Sequence, residues 1–366
     1  MSVIIFIIIL AILVLVHEFG HFIVAKKSGI RVDEFGLGFP PRIWGKKYDG
    51  TIYSINWIPF GGFVKIFGEN PDDESLSGPQ SSRSFVNKKR PIQALVLVAG
   101  VTMNILFAWV LISIGFMSGL PTSVDETNQS QIKDAKLVVT QVLSDSPAQK
   151  VGLKAGDEIV SLHSGADTLS DGAVDVSRVQ NFISLHGGKS VSLELQRGGN
   201  AVEIEAIPTE GIVPGKSALG FSMDFIGSLR LPIHEALWEG AKLTANLTYA
   251  IAESLTLFIY HAFTGTADFS EVTGPVGIAG MVGDATQLGF IYLLSFTAFI
   301  SLNLAVLNLL PFPALDGGRL LFVLIESVIR KPINHKVANA LNSAGFALLI
   351  LLMLVVTYKD IIKLIH

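Results

Sequence analysis

The chain has 366 residues, of which 50% are hydrophobic and only 16% charged, and its formal net charge is −4. This composition is too apolar for an ordinary soluble protein, and the lack of a basic excess argues against nucleic-acid binding. Because the chain has no cysteine, disulfides, thiolate nucleophiles and cysteine-bound metals are excluded. Any metal must be held by His, Asp or Glu. We therefore expect a membrane protein without a nucleic-acid partner.

Four segments are predicted to span the membrane. Residues 3 to 16 are unbroken apolar and, with the HEFGHFIVA that follows, reach the ~20 residues of a spanning helix. A signal peptide is the alternative for this segment, but it lacks a basic n-region and an A-x-A-like cleavage site. The other spans are predicted at 91 to 119, about 288 to 310, and 337 to 358.

Residues 236 to 262 are ambiguous, because their period is helical but charged residues such as Lys242 and Glu253 interrupt the apolar run. The strongest excess of Lys and Arg, in residues 26 to 90, places that loop in the cytoplasm. If 236 to 262 spanned the membrane, the basic residues of 319 to 336 would lie outside, which inverts the positive-inside rule. We therefore expect an amphipathic helix along the outer interface, with both termini outside the cytoplasm.

Two stretches between the spans have other patterns. Thr51 to Trp57 and Gly62 to Phe67 alternate in hydrophobicity, which predicts short strands. Residues 124 to 227 combine alternating strands, two short helices and Gly-rich turns. This pattern predicts a small soluble domain with one core.

The first span contains His17-Glu18-Phe19-Gly20-His21, which has the pattern H-E-x-x-H. On a helix, residues i and i+4 share a face, so both imidazoles can bind one Zn²⁺ while Glu18 activates the attacking water. A polar face that packs against other helices is the alternative. Ionisable residues inside a span are costly unless they are partnered, and they are functional by default. The motif therefore predicts a catalytic zinc site inside the first span.

The third zinc ligand must come from elsewhere in the chain, because a catalytic zinc takes three protein ligands and keeps one position open. The extended motif of soluble enzymes would need a histidine at position 27, which is Lys27. Asp316, in NLLPFPALDGG (308 to 318), is the carboxylate near the cytoplasmic end of the third span, at the depth expected for the two histidines. A turn aspartate before two glycines is the alternative. We predict Asp316 as the third ligand.

Pro311 and Pro313 predict a break in the helix next to this site, because each lacks a backbone donor and disfavours helix in the preceding residue. Broken helix at membrane depth is tolerated only where it lines protein or a water cavity. Asn308 could bond a substrate backbone or an oxyanion. It could equally form a hydrogen bond between helices, and the sequence leaves both roles open.

These motifs resemble the two signatures of the bacterial site-2 proteases, in particular the RseP-type intramembrane zinc metalloproteases. The similarity covers nearly the whole chain: FGLGFPPRIW and YSINWIPFGGFVKIFGE resemble the membrane-associated β-hairpin segment of the family, and VTGPVGIAG resembles its stretch before the third span. In that family two histidines and an aspartate bind zinc, a glutamate is the base and an asparagine contacts substrate. The corresponding residues here are His17, His21, Asp316, Glu18 and Asn308.

The resemblance implies a circularly permuted PDZ domain at 124 to 227, where some relatives have two such domains. The usual Gly-Pro of the family in the second span is here Gly100-Val101, followed by Asn104. The resemblance also implies substrates that are membrane proteins with a transmembrane helix, cut after an upstream site-1 protease has acted. Release of an anti-sigma factor and removal of signal-peptide remnants are both such reactions. The location would be the bacterial cytoplasmic membrane, with the active site near its cytoplasmic side.

A spanning substrate must unwind before a peptide bond is accessible, so we expect a strand to hold it extended. The strand around Val64 and Ile66 is our candidate for such β-strand addition. In the soluble domain, Leu219, Gly220 and Phe221 belong to a segment that resembles the PDZ loop that receives a peptide carboxylate. That domain is either a peptide receptor or a size filter, and we favour the filter.

Two other functions compete with the protease. A metal transporter would not need Glu18 between the ligands, and it would usually show paired repeats with broken helices. A PDZ scaffold without catalysis would have no reason to keep ionisable residues inside a span.

The sequence thus predicts a polytopic α-helical membrane protein with about four transmembrane helices, a membrane-associated β-hairpin segment and an inserted α+β PDZ domain. In chain order the predicted parts are the first span with HExxH (1–26), a cytoplasmic β segment and loop (27–90), the second span (91–119), the PDZ domain (124–227), an interfacial helix and loop (228–287), the third span with the LDG motif (288–330) and the fourth span (337–358).

Overall fold

The computed structural model describes residues 2–70, 72–124, 132–143, 145–170, 174–213, 215–267, 272–331 and 333–365. They form two compact units. The helical unit consists of Met1–Ile114, His234–Thr286 and Leu293–His366, and the sheet unit of Gly115–Ile233 and Gln287–Tyr292.

The helices follow the apolar segments of the sequence. In chain order they are α1 (Ser2–Lys27), α2 (Asp73–Ser77), α3 (Arg90–Ser118), α4 (Pro147–Lys150), α5 (Val176–Leu185), α6 (Ile233–Thr264), α7 (Pro275–Leu288), α8 (Phe290–Leu309), α9 (Asp316–Ile329) and α10 (His335–Ile365). Within the described residues, four helices are long and apolar enough to cross a membrane: Ser2–Lys27, Arg90–Ser118, Phe290–Leu309 and Lys336–Lys363. The chain is therefore a multi-pass membrane protein.

The fourth of these helices shows the surface that lipid requires. Leu351, Leu354 and Val355 on α10 are each more than half exposed, which water would disfavour and hydrocarbon does not. Helix α6, the ambiguous segment of the sequence, is not among the four candidate spans. Helix α7 occupies a stretch that the sequence pattern assigned to a loop, because its glycines conceal a helical period.

Two long strands follow α1, where the alternation predicted only short ones. Strands β1 (Val32–Tyr48) and β2 (Thr51–Ile66) pair antiparallel. Residues 32–37 pair with 62–66, and 42–48 pair with 51–56. In this register 62–66 has partners on one side only, so it forms an edge of the sheet.

A separate core supports the sheet unit. Its strands are β3 (Leu120–Ser123), β4 (Ile132–Val142), β5 (Glu158–Ser164), β6 (Asp167–Leu169), β7 (Val191–Arg197), β8 (Asn200–Ala206), β9 (Thr209–Val213), β10 (Lys216–Ala218) and β11 (Phe221–Leu229). The main sheet has the order β3-β11-β4-β5-β7-β8 with β6 beside β5, and β9 pairs with β10. Leu162, Val179 and Leu193 are fully buried in its core.

One buried charge in the sheet unit is completely paired. Asp157 is 1% exposed on its side chain and lies 2.6 Å from Nε of Arg197. Its other oxygen accepts from the backbone N–H of Lys154 at 2.8 Å. The hydrogen bond to Asp157 raises the pKa of the Arg197 guanidinium above its usual value. This pair fixes the turn before β5.

Candidate metal centre

The two histidines of α1 lie on the face of the helix that packs against α3. His17 and His21 are both buried, and their Nε2 atoms are 3.2 Å apart, as the i, i+4 spacing predicts. Nδ1 of His21 lies 2.8 Å from the backbone oxygen of Val96 on α3. That carbonyl can only accept, so Nδ1 carries the proton and Nε2 presents its lone pair.

Asp316 reaches the same point from the far end of the chain. It is the first residue of α9, and its Oδ2 lies 2.9 Å from Nε2 of His17 and 3.2 Å from Nε2 of His21. The chain reverses sharply between α8 and α9, where the two prolines predict a break. A Cβ on Gly317 would lie 2.2 Å from the backbone oxygen of Leu309, so only glycine fits this reversal.

These three side chains suit a zinc ion. The ligand atoms of His17, His21 and Asp316 all lie within 4.8 Å of one another. Tetrahedral zinc with bonds of about 2.0–2.1 Å separates its ligand atoms by roughly 3.3 Å, and the separations here are 2.9 to 3.2 Å. Two imidazoles and one carboxylate are also a usual donor set for catalytic zinc. The residues present therefore fit the metal.

Two glycines, to which the sequence motifs assign no function, make room for this arrangement. A Cβ on Gly100 of α3 would lie 2.3 Å from Nε2 of His21 and 2.8 Å from Nε2 of His17. A Cβ on Gly20 of α1 would lie 2.4 Å from the backbone oxygen of Ala99. Position 100 therefore leaves space for the metal, and position 20 lets the two helices approach. A glycine at helical spacing from a metal ligand is a weak signal in sequence, because many helix contacts use one.

Glu18 lies beside the two histidines and is held by the β-sheet. Its Oε2 accepts the backbone N–H of Val64 at 3.1 Å. Val64 pairs with Phe35 of β1, and its N–H points instead toward α1. The unpaired edge of 62–66 therefore faces the glutamate of the motif. This contact was not expected from the sequence, which gave Glu18 and Val64 unrelated roles.

A second link joins β2 to the metal centre through α9. Arg319, one turn after Asp316, donates to the carboxylate of Glu69 and to Oδ1 of Asn70. These residues directly follow β2. The pairing ties the helix that carries Asp316 to the strand that contacts Glu18.

The other predicted site residues lie as follows. Asn308 is partly buried in the last turn of α8, and the described hydrogen bonds do not join it to the three ligands. Ile66 is 6% exposed and belongs to a core cluster between α1, α3 and the sheet. In the sheet unit, Leu219, Gly220 and Phe221 line a cavity of about 480 Å³. Leu219 itself is 2% exposed and part of that unit's core.

Proteins with similar sequences include zinc metalloproteases. Residues 5–352 match the model of Peptidase family M50. A protein of Clostridium perfringens named as a candidate zinc metalloprotease is 39% identical over 96% of this chain and 95% of its own length. The zinc metalloprotease RasP of Geobacillus kaustophilus is 28% identical over 99% of this chain and 98% of its own. RasP of Oceanobacillus iheyensis is also 28% identical, over 99% of both chains.

The match to the family covers almost the whole chain, and it confirms the resemblance to site-2 proteases and the prediction of a zinc metalloprotease. The chain belongs to Peptidase family M50.

Proposed function

We propose that the chain cuts peptide bonds within or near the transmembrane segments of membrane proteins, with His17, His21 and Asp316 as zinc ligands and Glu18 as the base. One observation carries this proposal. His17 and Asp316 are 299 residues apart in sequence, yet Nε2 of His17 lies 2.9 Å from Oδ2 of Asp316. His17 belongs to α1, a helix that is long and apolar enough to span a membrane. Burying three such groups at membrane depth is costly unless they share a ligand.

The chemistry follows from the residues around this point. A zinc ion held there supplies a Lewis acid that polarises the scissile carbonyl and acidifies the attacking water. Glu18 takes the proton from that water and can return it to the leaving nitrogen. Asn308, near the end of α8, is our candidate for a hydrogen bond to the substrate backbone.

The direct test is cleavage of a reporter with one transmembrane segment by the full chain in detergent or vesicles. Glu18→Gln keeps the size of the side chain and removes the base, so we expect bound zinc without cleavage. Glu18→Asp is the matched control: it keeps the carboxylate that can act as a base but places it one methylene further from the attacking water. Cleavage by Glu18→Gln at the rate of the unchanged chain would overturn the assignment of the base.

We further propose that substrate joins the sheet at the edge formed by residues 62–66. Three facts support this: the edge has no strand on its outer side in the register of β1 and β2, it faces Glu18 through the N–H of Val64, and a peptide needs its backbone bonds satisfied at membrane depth. Helix-breaking residues in the substrate span should then speed cleavage. Proline at Val64 or Ile66 tests this poorly, because Val64 also holds Glu18 and Ile66 is buried in the core.

The absence of cysteine from the chain offers a cleaner test of strand addition. Lys65 is exposed on the proposed edge strand, and Lys46 is exposed on 42–48, at the opposite edge of the sheet. In a Glu18→Gln background, Lys65→Cys should form a disulfide with a cysteine placed next to the scissile bond. Lys46→Cys is the matched control and should not. Equal crosslinking at both positions would contradict strand addition at 62–66.

For the sheet unit we propose a PDZ-like domain that acts as a size filter outside the cytoplasm. Its order of strands with two short helices fits such a domain, and its place in the chain between the second and third spans fits a filter. Replacing 127–225 by a short linker should then admit uncut membrane substrates. The receptor alternative draws support from the cavity at Leu219–Phe221.

The receptor alternative needs a variant other than Leu219→Asp, because Leu219 is in the core. Lys216 lines the same cavity and is exposed, so Lys216→Glu would repel a peptide carboxylate without disturbing packing. Under the filter, Lys216→Glu leaves the cleavage of pre-cut substrates unchanged. A large loss would favour the receptor.

We place the metal centre near the cytoplasmic side of a bacterial inner membrane, with both termini outside, because the basic residues cluster in 26–90. This placement suits a protease that acts after an upstream site-1 protease has trimmed the outer part of the substrate. Cysteine labelling of Ser2→Cys and Lys47→Cys from the outside tests it. Only the first should react in intact cells.

A further inference from the structure

The two histidines of the metal centre differ in what holds the ring nitrogen remote from Asp316. Nδ1 of His21 has the backbone oxygen of Val96 at 2.8 Å. Nδ1 of His17 is buried and has no hydrogen-bond partner among the described residues. A histidine that binds a metal almost always donates its second ring N–H to an acceptor, which fixes the tautomer and the ring orientation. His17 therefore requires an acceptor near Nδ1.

A second unpartnered side chain lies in the helix opposite. Asn104 on α3 is 0% exposed, and both Oδ1 and Nδ2 lack a hydrogen-bond partner. Within the described part of the chain, no other side chain has two such buried atoms. A buried amide without a partner costs about 1–3 kcal/mol. Such a residue is expected to gain a partner in the working enzyme.

The packing of α1 on α3 places Asn104 on the side of His17. The two helices run antiparallel at this contact: Val96 contacts His21, and a Cβ on Gly100, one turn further along α3, would meet both His21 and His17, which lies one turn earlier on α1. Asn104 is one helical turn beyond Gly100 on the same face of α3. Side chains on a helix lean toward its N-terminus. The ring of His17 therefore leans toward the preceding turn of α1, which lies at the level of Asn104 because the helices are antiparallel.

We propose that Asn104 is a positioning residue of the metal centre: its side-chain Oδ1 accepts the Nδ1–H of His17 and thereby holds Nε2 of His17 toward the zinc ion. The bond forms when the Asn104 side chain rotates toward the ring. This inference rests on the proposed function, since it takes His17 as a zinc ligand. It assigns to His17 the partner that Val96 supplies to His21.

Helix packing alone does not account for an amide at this position. The junction of α3 with α8 is already held by the hydroxyl of Ser301, which donates to the backbone oxygen of Asn104 at 2.8 Å. That bond would form with any residue at 104. An amide also supplies an acceptor without adding a buried negative charge, which a carboxylate would do.

The test is the zinc affinity of the full chain in detergent, measured by titrating metal-free protein against a competing chelator. We expect Asn104→Leu, which keeps the size of the side chain, to lower zinc affinity about 10- to 100-fold. Asn104→Asp keeps an acceptor oxygen and should retain most of the affinity. Ser301→Ala is the matched control for the helix junction and should bind zinc as tightly as the unchanged chain.

A spectroscopic readout separates positioning from general stability. With Co²⁺ in place of zinc, Asn104→Leu should shift the visible absorption bands because the ligand field of His17 changes, while Ser301→Ala should not. Unchanged affinity and spectrum in Asn104→Leu would overturn the inference. So would equal losses of zinc affinity in Asn104→Leu and Ser301→Ala, accompanied by equal falls in the thermal stability of the metal-free proteins.

The proposed function is tested separately in the same experiment by His17→Ala. Full zinc affinity in His17→Ala would remove His17 as a ligand and the proposed function would need another donor. Loss of zinc in His17→Ala with no effect of Asn104→Leu would leave the ligand set intact and reject only the role of Asn104.

Discussion

The metal centre of the helical unit and the core of the sheet unit differ in how their buried polar groups are paired. In the sheet unit, buried Asp157 has partners on both oxygens, from Arg197 and from the backbone of Lys154. In the helical unit, His17 and Asn104 keep buried atoms without a partner, and three ligand atoms converge at one point. A buried charge must keep its partners, because removing one of them leaves an uncompensated charge in the core. Buried groups left open at one point indicate a site that binds something.

This difference explains why a functional site can be inferred from polar residues in the helical unit but not in the sheet unit. At membrane depth every polar group is costly, so the few that occur identify the site. In a soluble domain, polar residues are common and most of them stabilise turns and strand ends. Substitutions should therefore separate the two units: one set should change zinc binding, the other only the stability of the sheet unit.

The largest effect is expected at Gly100. Gly100→Ala puts a Cβ within 2.3 Å of the present position of Nε2 of His21, so the imidazoles must move and we expect loss of zinc with about 10²-fold or more loss of cleavage. Gly280→Ala is the matched control, because a Cβ there meets nothing within 4 Å. For both variants, mass spectrometry measures the zinc content and the reporter assay measures the rate of cleavage. An unchanged zinc content in Gly100→Ala would contradict the role assigned to Gly100.

A smaller effect, confined to the sheet unit, is expected from Asp157→Ala. Arg197 and the turn at Lys154 lose their shared acceptor, which should lower the free energy of unfolding of this unit by about 1–3 kcal/mol. Zinc content should not change. Lys136→Ala is the control, since its ion pair with Glu158 is exposed and such pairs contribute about 0–1 kcal/mol. Hydrogen exchange of the core strands reports the loss.

The smallest effect is expected at the far end of α10. Asp360 is 6% exposed and accepts the backbone N–H groups of Gly274 and Gly277 at 3.2 and 2.8 Å, so it caps the start of α7. Asp360→Ala should lower the free energy of unfolding of the helical unit by about 1 kcal/mol, and the zinc affinity should be retained. Asp360→Asn keeps an acceptor and should be milder. A loss of zinc in Asp360→Ala alone would show that this buried carboxylate serves the metal centre after all.

The convergence of His17, His21 and Asp316 within 4.8 Å was predicted from the sequence, whereas the contacts around them were not. H-E-x-x-H and the aspartate of the LDG motif carry their own geometry, because helical spacing fixes the two histidines and membrane cost singles out Asp316. The bond from Val64 to Glu18 could not be predicted, since it depends on how a strand packs on a helix far away in sequence. The role of Gly100 could not be predicted either, because it depends on the histidines that a side chain at this position would contact.

Within the fold, the four candidate spans were predicted, whereas the full length of β1 and β2 and the helix α7 were not. Apolar runs of spanning length are unambiguous, whereas β1 contains glycines and prolines between residues 36 and 41 that hide its alternation. Helix α7 was hidden for a similar reason. Local patterns report burial on one face, and these segments obtain their structure from neighbours that a pattern does not show.

The central claim is that His17, His21 and Asp316 together hold one zinc ion, and the zinc content of Asp316→Ala tests it most directly. Mass spectrometry of the purified full chain should find one zinc per molecule, and far less in Asp316→Ala, with reporter cleavage lost in parallel. Full zinc loading and near-normal cleavage in Asp316→Ala would contradict the account, because a third ligand other than Asp316 would then hold the metal.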